Sequence, residues 1–392
     1  MIVGKPETIK NESDIELRYS LSGKDLPNYL WYKIDPTYAN FLTDKSDAAL
    51  VALLMPAMIR GEDLHFLGKI SEELLYNASG RLQSVLQTMM PTLNKVKVTA
   101  IEVCETEERA KGVATGFSAG IDSFSAFIDH YNVDKPGFKL THLIFNQVGA
   151  SGSSDASYLR KKKMADQFKI PLIKIKTNLY EIYEPSRKEY LIKFKASHTY
   201  RNTSVAHLLH NGIGRFYYAS TYSYAHIYVG EALDCSYCDP ISLPLLSSSS
   251  LSTISVGSEY SRVEKTIQVS NFNESYGNLE VCVVYGKKSD KINCGRCHKC
   301  LRTLLTLEID GNIHRYKNYF DMSNYYKSRS KYIAEVLVAK RPFEREIKFL
   351  MNEHNFKPPF ISYVQVFVLN PIHAYLINPI FKIIRKFKNI LE

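Results

Sequence analysis

The spacing of apolar and polar positions changes twice along the chain, and the changes mark three regions. Residues 15–22 and 28–34 alternate apolar with polar side chains, the period of half-buried strands. Residues 47–59 form an apolar run of helical length, and apolar side chains recur every three to four positions over 71–90, so both stretches are predicted helical. Residues 95–103 return to alternation with β-branched side chains and read as a strand. No chemical motif falls among these elements. Residues 1–110 are therefore expected to be an α+β accessory domain.

From residue 111 the pattern becomes strand, turn, helix, repeated. Strands are predicted over 112–118, 140–148, 171–177 and 215–220, with helices over 122–131, 155–168 and 203–210. Strands separated by helices imply crossover connections and hence a Rossmann-like parallel sheet with flanking helices. Ligands of such sheets sit outside the carboxyl ends of the strands. Residues 247–252 (SSSSLS) read as a flexible connection, 259–269 as a helix and 279–285 as a strand. Beyond residue 311 the chain is rich in Tyr, Lys and Asn and reads as a helical extension. The expected domains are 1–110, 111–310 and 311–392. No internal repeat is visible.

The 392 residues are 45% apolar and 23% charged, which excludes extensive disorder. The net charge of +10 permits a phosphate-bearing ligand, nucleic acid or an anionic membrane, and a solvated basic surface explains it equally well. No apolar run approaches the length of a spanning helix, and residues 1–20 contain no apolar core of a secretory signal. A cytoplasmic protein is expected. Its seven cysteines then read as thiols or metal ligands rather than disulfides.

Two clusters carry chemistry. The first is the turn after the strand at 112–118, where Phe117 precedes the small residues Ser118, Ala119 and Gly120 and a helix begins near Asp122 and Ser123. Small residues let backbone N–H groups face a ligand, and a helix N-terminus favours negative charge, so the turn is a candidate phosphate cradle. An ordinary strand-to-helix turn with Asp122 near the N-cap is the other reading. Neither GxxxxGK[ST] nor GxGxxG occurs. The second cluster is Cys294, Cys297 and Cys300 in CGRCHKC, with Cys282 twelve positions before Cys294. Four thiolates suit a closed tetrahedral Zn2+ site, with Gly295 letting the knuckle turn. Buried thiols and an iron–sulfur cluster remain alternatives. Cys235 and Cys238 in DCSYCDP form a second pair, and Cys104 reads as a core thiol.

The hexapeptide Ser118-Ala119-Gly120-Ile121-Asp122-Ser123 resembles the SGGxDS signature of PP-loop ATP pyrophosphatases, the adenine nucleotide alpha hydrolase-like (HUP-like) superfamily. Followed by C-x(n)-C-x2-C-x2-C and Leu301-Arg302, and with Tyr200-Arg201-Asn202 between them, it is similar to 7-cyano-7-deazaguanine synthase and its relatives, over about residues 111–310. The resemblance implies a PP-loop core closed by a four-cysteine zinc knuckle, with ATP and Mg2+ as further ligands. It implies a reaction in which a carboxylate or amide-type oxygen is adenylated with release of pyrophosphate, after which a nitrogen or sulfur donor displaces AMP. Carried over position by position, it makes Phe117, Ser118, Ala119, Gly120, Asp122, Ser123 and Asn202 nucleotide-binding. Asp122 is to place Mg2+ or order the turn, and Arg201 is to neutralise phosphate charge or to form a surface or fold-level ion pair. The chain departs from the family at Ala119, where the pattern has Gly, and at Asn146, where the second strand of the family leads into an acid. These departures point to a divergent branch with its own small-molecule or modified-base substrate.

A catalytically weak nucleotide-binding partner or regulatory protein on the same fold is the second reading, and an RNA modifier the third. Glu259, Arg262 and Lys265 are candidates to line the site or to form a solvated helix face, and Lys161, Lys162 and Lys163 read as solvated. The C-terminal segment, with Lys382, Arg385, Lys386 and Lys388, is a candidate for peripheral membrane or partner contact, or for packing on the soluble body. A homo-oligomer is possible.

Overall fold

Val113, Ala114 and Thr115 are buried, as a central strand covered on both faces requires. They belong to the strand Gly112–Gly116 in a computed structural model that describes residues 1–105, 107–150, 154–284 and 291–372. The chain divides into two compact units, Met1–Tyr260 and Ser261–Glu392.

The first unit holds one eleven-stranded, mostly parallel sheet. Its strands are β1 (Ile2–Val3), β2 (Glu7–Lys10), β3 (Ile15–Ser22), β4 (Tyr29–Ile34), β5 (Leu64–Ser71) and β6 (Val98–Cys104), then β7 (Gly112–Gly116), β8 (His142–Gln147), β9 (Leu172–Thr177), β10 (Ile213–Ala219) and β11 (Ser252–Val256). The order across the sheet is β11-β10-β7-β8-β9-β4-β3-β1-β5-β6, with β2 beside β3. Strands β7 to β11 are all parallel to one another. Read from β9 to β11 their order is third, second, first, fourth, fifth, which is Rossmann-like. The order reverses between β7 and β10, so the crevice of this half lies at their carboxyl ends.

The flanking helices are α1 (Asp47–Arg60), α2 (Glu72–Ala78), α3 (Arg81–Met89), α4 (Ile121–Tyr131), α5 (Asp155–Gln167), α6 (Leu179–Tyr183), α7 (Phe194–Leu208) and α8 (Asp239–Leu245). Helix α1 is buried on nearly every side and packs on α7; it continues through Pro56. A helix apolar all round must be enclosed in this way. The helix predicted over 71–90 is instead two, because Gly80 leaves helical geometry and opens α3.

The N-terminal strands extend the same sheet. Strand β4 pairs antiparallel with β9, with Tyr32 opposite Thr177. The Trp31 N–H donates to Asn178 Oδ1 (3.0 Å), and Asn178 Nδ2 donates to the Tyr29 carbonyl (2.8 Å). The compact units thus divide after Tyr260, a different place from the boundaries expected at 110 and 310.

The second unit is helical: α9 (Arg262–Ser270), α10 (His298–Ile309), α11 (Met322–Val338), α12 (Pro342–Glu353) and α13 (Phe360–Ile372). Helix α9 begins at Arg262 because Ser261 and Glu264 form a reciprocal capping box, which leaves Glu259 outside it. Residues 279–284 form no strand. Their backbone is held by Asn293, whose Oδ1 accepts from the Val281 and Cys282 N–H groups and whose Nδ2 donates to the Leu279 carbonyl. No helix among the described residues is long and apolar enough to cross a membrane. Lys382, Arg385, Lys386 and Lys388 lie outside the described residues.

Candidate functional site

Strand β7 ends at Gly116, and the Phe117 N–H still donates to the Ile144 carbonyl on β8 (2.8 Å). Phe117 is buried against Phe124 and Phe127 of α4, so its ring anchors the start of the turn to the helix that follows. Ala119 has φ +58°, a left-handed backbone that a residue bearing a Cβ adopts at a cost of roughly 1–2 kcal/mol. Its methyl group is buried. Gly120 is the N-cap of α4, which therefore opens without a side-chain cap. The Ser118 hydroxyl accepts from the Gly120 N–H (3.3 Å) and lies 3.1 Å from the Ser123 hydroxyl. Ser123 donates back to the Gly120 carbonyl (3.1 Å). Two hydroxyls and the first turn of an eleven-residue helix thus converge at the carboxyl end of the central strand. Asp122 sits half-buried in that first helical turn.

Beside this turn, the other sequence-marked residues separate. Asn146, at the carboxyl end of β8, donates from Nδ2 to Oδ1 of Asn202 on α7 (2.8 Å), and Asn202 Nδ2 donates to the His198 carbonyl (2.7 Å). Asn146 Oδ1 is buried and has no hydrogen-bond partner among the described residues. Arg201 is fully buried. Its guanidinium donates to Ser197 Oγ, to the Val148 and Ile192 carbonyls and to Glu184 Oε1 (3.2 Å), with the rings of Tyr183 and Phe194 against it. Of the two roles open for Arg201, the one seen is the fold-level ion pair. The reason is geometric: its planar fork is enclosed by carbonyls and a carboxylate.

Lys161 is also buried, contrary to the solvated reading, and donates to Ser157 Oγ (2.6 Å). Lys162 pairs with Asp166 on the surface, and Lys163 is exposed. The serine tract is not a loose connection. Ser248 and Ser250 are buried, and the Ser247 hydroxyl accepts from the Thr253 N–H (3.0 Å) where the chain enters β11.

In the second unit, Cys282, Cys294, Cys297 and Cys300 bring their sulfurs within 4.8 Å of one another, a set that can hold a metal ion such as Zn2+. Cys297 is the N-cap of α10 and Cys300 lies in its first turn, where a helix N-terminus favours thiolate. A hydrogen bond from Cys300 holds the Cys297 thiol low, at about 4. The Cys297 N–H points at Cys294 Sγ and the Val284 N–H at Cys282 Sγ, both at 3.4 Å, stabilising negative sulfur. Gly295 makes the knuckle turn with φ +68°, and a Cβ there would lie 2.0 Å from the Asp321 carbonyl oxygen.

The DCSYCDP pair divides. Cys238 Sγ donates to the Tyr228 carbonyl, whereas Cys235 faces Thr199, with His198 and Asp234 beside it. Sequence alone offered only the CxxC spacing at this place; nothing in it linked the cysteine to a histidine on α7.

Comparison with protein-family models, with curated proteins and with solved structures finds no match to this chain.

Proposed function

We propose that the protein binds ATP at the turn Phe117–Ser123 and uses it to adenylate a carboxylate or amide-type oxygen of a small molecule or modified base. The observation that carries this reading is the turn itself. A left-handed Ala119 held against its steric preference, two hydroxyls and a helix N-terminus meet at the carboxyl end of the first strand of a Rossmann-like order. Backbone concavities of this kind favour anions. The lack of a P-loop lysine argues for cleavage between the α- and β-phosphates rather than γ-transfer.

In this reading the turn N–H groups and the Ser118 and Ser123 hydroxyls hold the pyrophosphate portion of ATP. Both hydroxyls are preorganised, since each is already oriented by Gly120. Asp122 helps place Mg2+ or orders the turn. The acceptor oxygen attacks the α-phosphorus, pyrophosphate leaves, and an amine, ammonia or sulfur donor displaces AMP. The protein contributes position and charge stabilisation. Arg201 acts by bracing α7 rather than by touching phosphate, and Asn202 fixes Asn146 at the crevice. The four-cysteine cluster holds a structural Zn2+ ion.

Incubation with labelled ATP and a metabolite pool, followed by chromatography, tests the reading. AMP and pyrophosphate are expected, and Ser118→Ala or Asp122→Ala should slow turnover roughly a hundred- to a thousandfold, the usual cost of losing one preorganised contact to developing charge. ADP as product, or full turnover in both variants, would overturn it. A second reading, a nucleotide-binding regulatory protein, is favoured by one feature: an amide, Asn146, stands where the resembled family has an acid. Tight ATP binding without pyrophosphate release under the same conditions would select it.

A further inference from the structure

Helix α7, the tyrosine near the end of β10 and the segment before α8 bring together a group of side chains that the nucleotide reading does not use. His198, Asp234 and Cys235 offer one nitrogen, one oxygen and one sulfur atom, all within 4.8 Å of one another. Cys235 is fully buried, and the His198 and Asp234 side chains are 15% and 18% exposed. We propose that these three residues form a second metal site, taking a borderline divalent cation such as Zn2+, with its fourth position open to water or a substrate atom.

Four features of the geometry point this way. First, His198 Nε2 and Asp234 Oδ1 are 3.5 Å apart. That is long for a charge-assisted hydrogen bond, which closes to about 2.7–2.9 Å. It is close to the edge of a tetrahedron whose Zn–N and Zn–O bonds are about 2.0–2.2 Å, roughly 3.3–3.5 Å. Second, the other ring nitrogen is engaged: Nδ1 lies 2.6 Å from the Tyr218 hydroxyl. A metal-binding histidine ordinarily gives its second nitrogen to such an outer partner, which fixes ring orientation and leaves Nε2 for the ion. The Asp234 carboxylate is oriented too, since Oδ1 accepts from the Ser236 N–H (3.1 Å).

Third, the charges balance. A thiolate and a carboxylate with a neutral imidazole neutralise a divalent cation in a site that is largely enclosed. Thr199 donates to Asp239 Oδ1 (2.7 Å) and lies 3.2 Å from Cys235 Sγ, so its single proton is committed to the carboxylate. Asp239 is fully buried, and its Oδ2 has no partner among the described residues. Fourth, Cys238 does not join the set, because its sulfur is bonded to the Tyr228 carbonyl. Three protein ligands with one place left over is the pattern of a reactive rather than a closed structural zinc site. Ser236 Oγ lies 3.2 Å from His198 Nε2.

The test is metal stoichiometry on the full chain saturated with Zn2+ and freed of excess. It is independent of nucleotide chemistry, because the readout is an ion count. Wild-type protein should hold two ions, one in the four-cysteine cluster and one here. Cys235→Ser and Asp234→Asn should each hold one. Tyr218→Phe should keep all three ligands but raise the dissociation constant of one ion about 10- to 100-fold in a chelator competition, the usual effect of losing an outer partner. In Co2+-substituted protein, the Cys235→Ser variant should lose part of the sulfur-to-metal charge-transfer absorption. A single ion in saturated wild-type protein would overturn the proposal, as would two ions retained by both ligand variants. Should Cys235→Ser fail to fold, Asp234→Asn at its partly exposed position carries the count.

Discussion

The Asn146 side chain gives its amide proton to Oδ1 of Asn202 at 2.8 Å, tying the carboxyl end of β8 to the middle of α7. The same Asn202 spends its own amide on the His198 carbonyl one turn earlier. An aspartate at 146 would set a carboxylate oxygen against the Asn202 oxygen. Asn202 could relieve this only by turning its amide and abandoning His198. Asn146→Asp is therefore expected to cost about 1–3 kcal/mol, the penalty of a broken, partly buried hydrogen bond. Denaturant unfolding checks this, and an unchanged midpoint would refute it.

Ala119 gives a second expectation. Glycine adopts φ +58° without the steric cost, but loses the buried methyl contacts and gains freedom when unfolded. The two effects nearly offset, so Ala119→Gly should leave the unfolding midpoint unchanged or slightly raised. Ala119→Val adds a β-branch to a left-handed, buried position and should cost about 1–3 kcal/mol. Equal midpoints for Gly and Val variants would show that residue 119 is not held left-handed.

Chelation should lower the thermal midpoint of the Ser261–Glu392 unit, because metal binding at four cysteines is coupled to folding. Gly295→Ala should do the same without a chelator. Its new Cβ meets the Asp321 carbonyl, and its φ is left-handed, so roughly 1–2 kcal/mol is the least it can cost. The measurement is metal content alongside calorimetry; a variant with full metal content and the wild-type midpoint would argue against the knuckle.

His210 makes the first unit sensitive to mild acid. Burial, reinforced by the nearby Lys45 charge, pushes its imidazole down to about 4, while Thr43 Oγ1 lies 2.5 Å from its Nε2. Between pH 6.5 and 4 the unfolded chain takes up a proton that the folded chain refuses. Stability contributed by this group is present above pH 6.5 and falls as pH drops, by up to about 1.4 kcal/mol per pH unit. His210→Gln should flatten the stability profile in that window. Identical slopes in variant and wild type would remove His210 as the cause.

What the sequence made legible follows from what drives each element. Strands β7 to β10 and their helices are apolar segments bounded by turn residues, and periodicity finds them. The four cysteines announce themselves by spacing. Periodicity marks helix α7 only from residue 203, because Ser197, Thr199 and Arg201 are polar yet buried, and such residues read as surface in a sequence pattern. Strand β11 follows a serine-rich stretch in which Ser248 and Ser250 are likewise polar yet buried. The separation of Cys235 from Cys238, and the meeting of Cys235 with His198, depend on where α7 crosses β10, a tertiary fact with no local signature.

The antiparallel seam between β4 and β9 has a consequence for biosynthesis. The Trp31 amide reaches its acceptor on Asn178 across 147 positions of chain. At about 5–20 residues added per second, the first strands leave the ribosome roughly 7–30 s before their neighbour exists. During that interval the edge of β4 that later pairs with β9, and the face of α1 that later packs on α7, have no partner. Production in cells should therefore respond to chaperone supply and growth temperature more sharply than the stability of the finished protein suggests, and early termination before Thr177 should yield insoluble fragments.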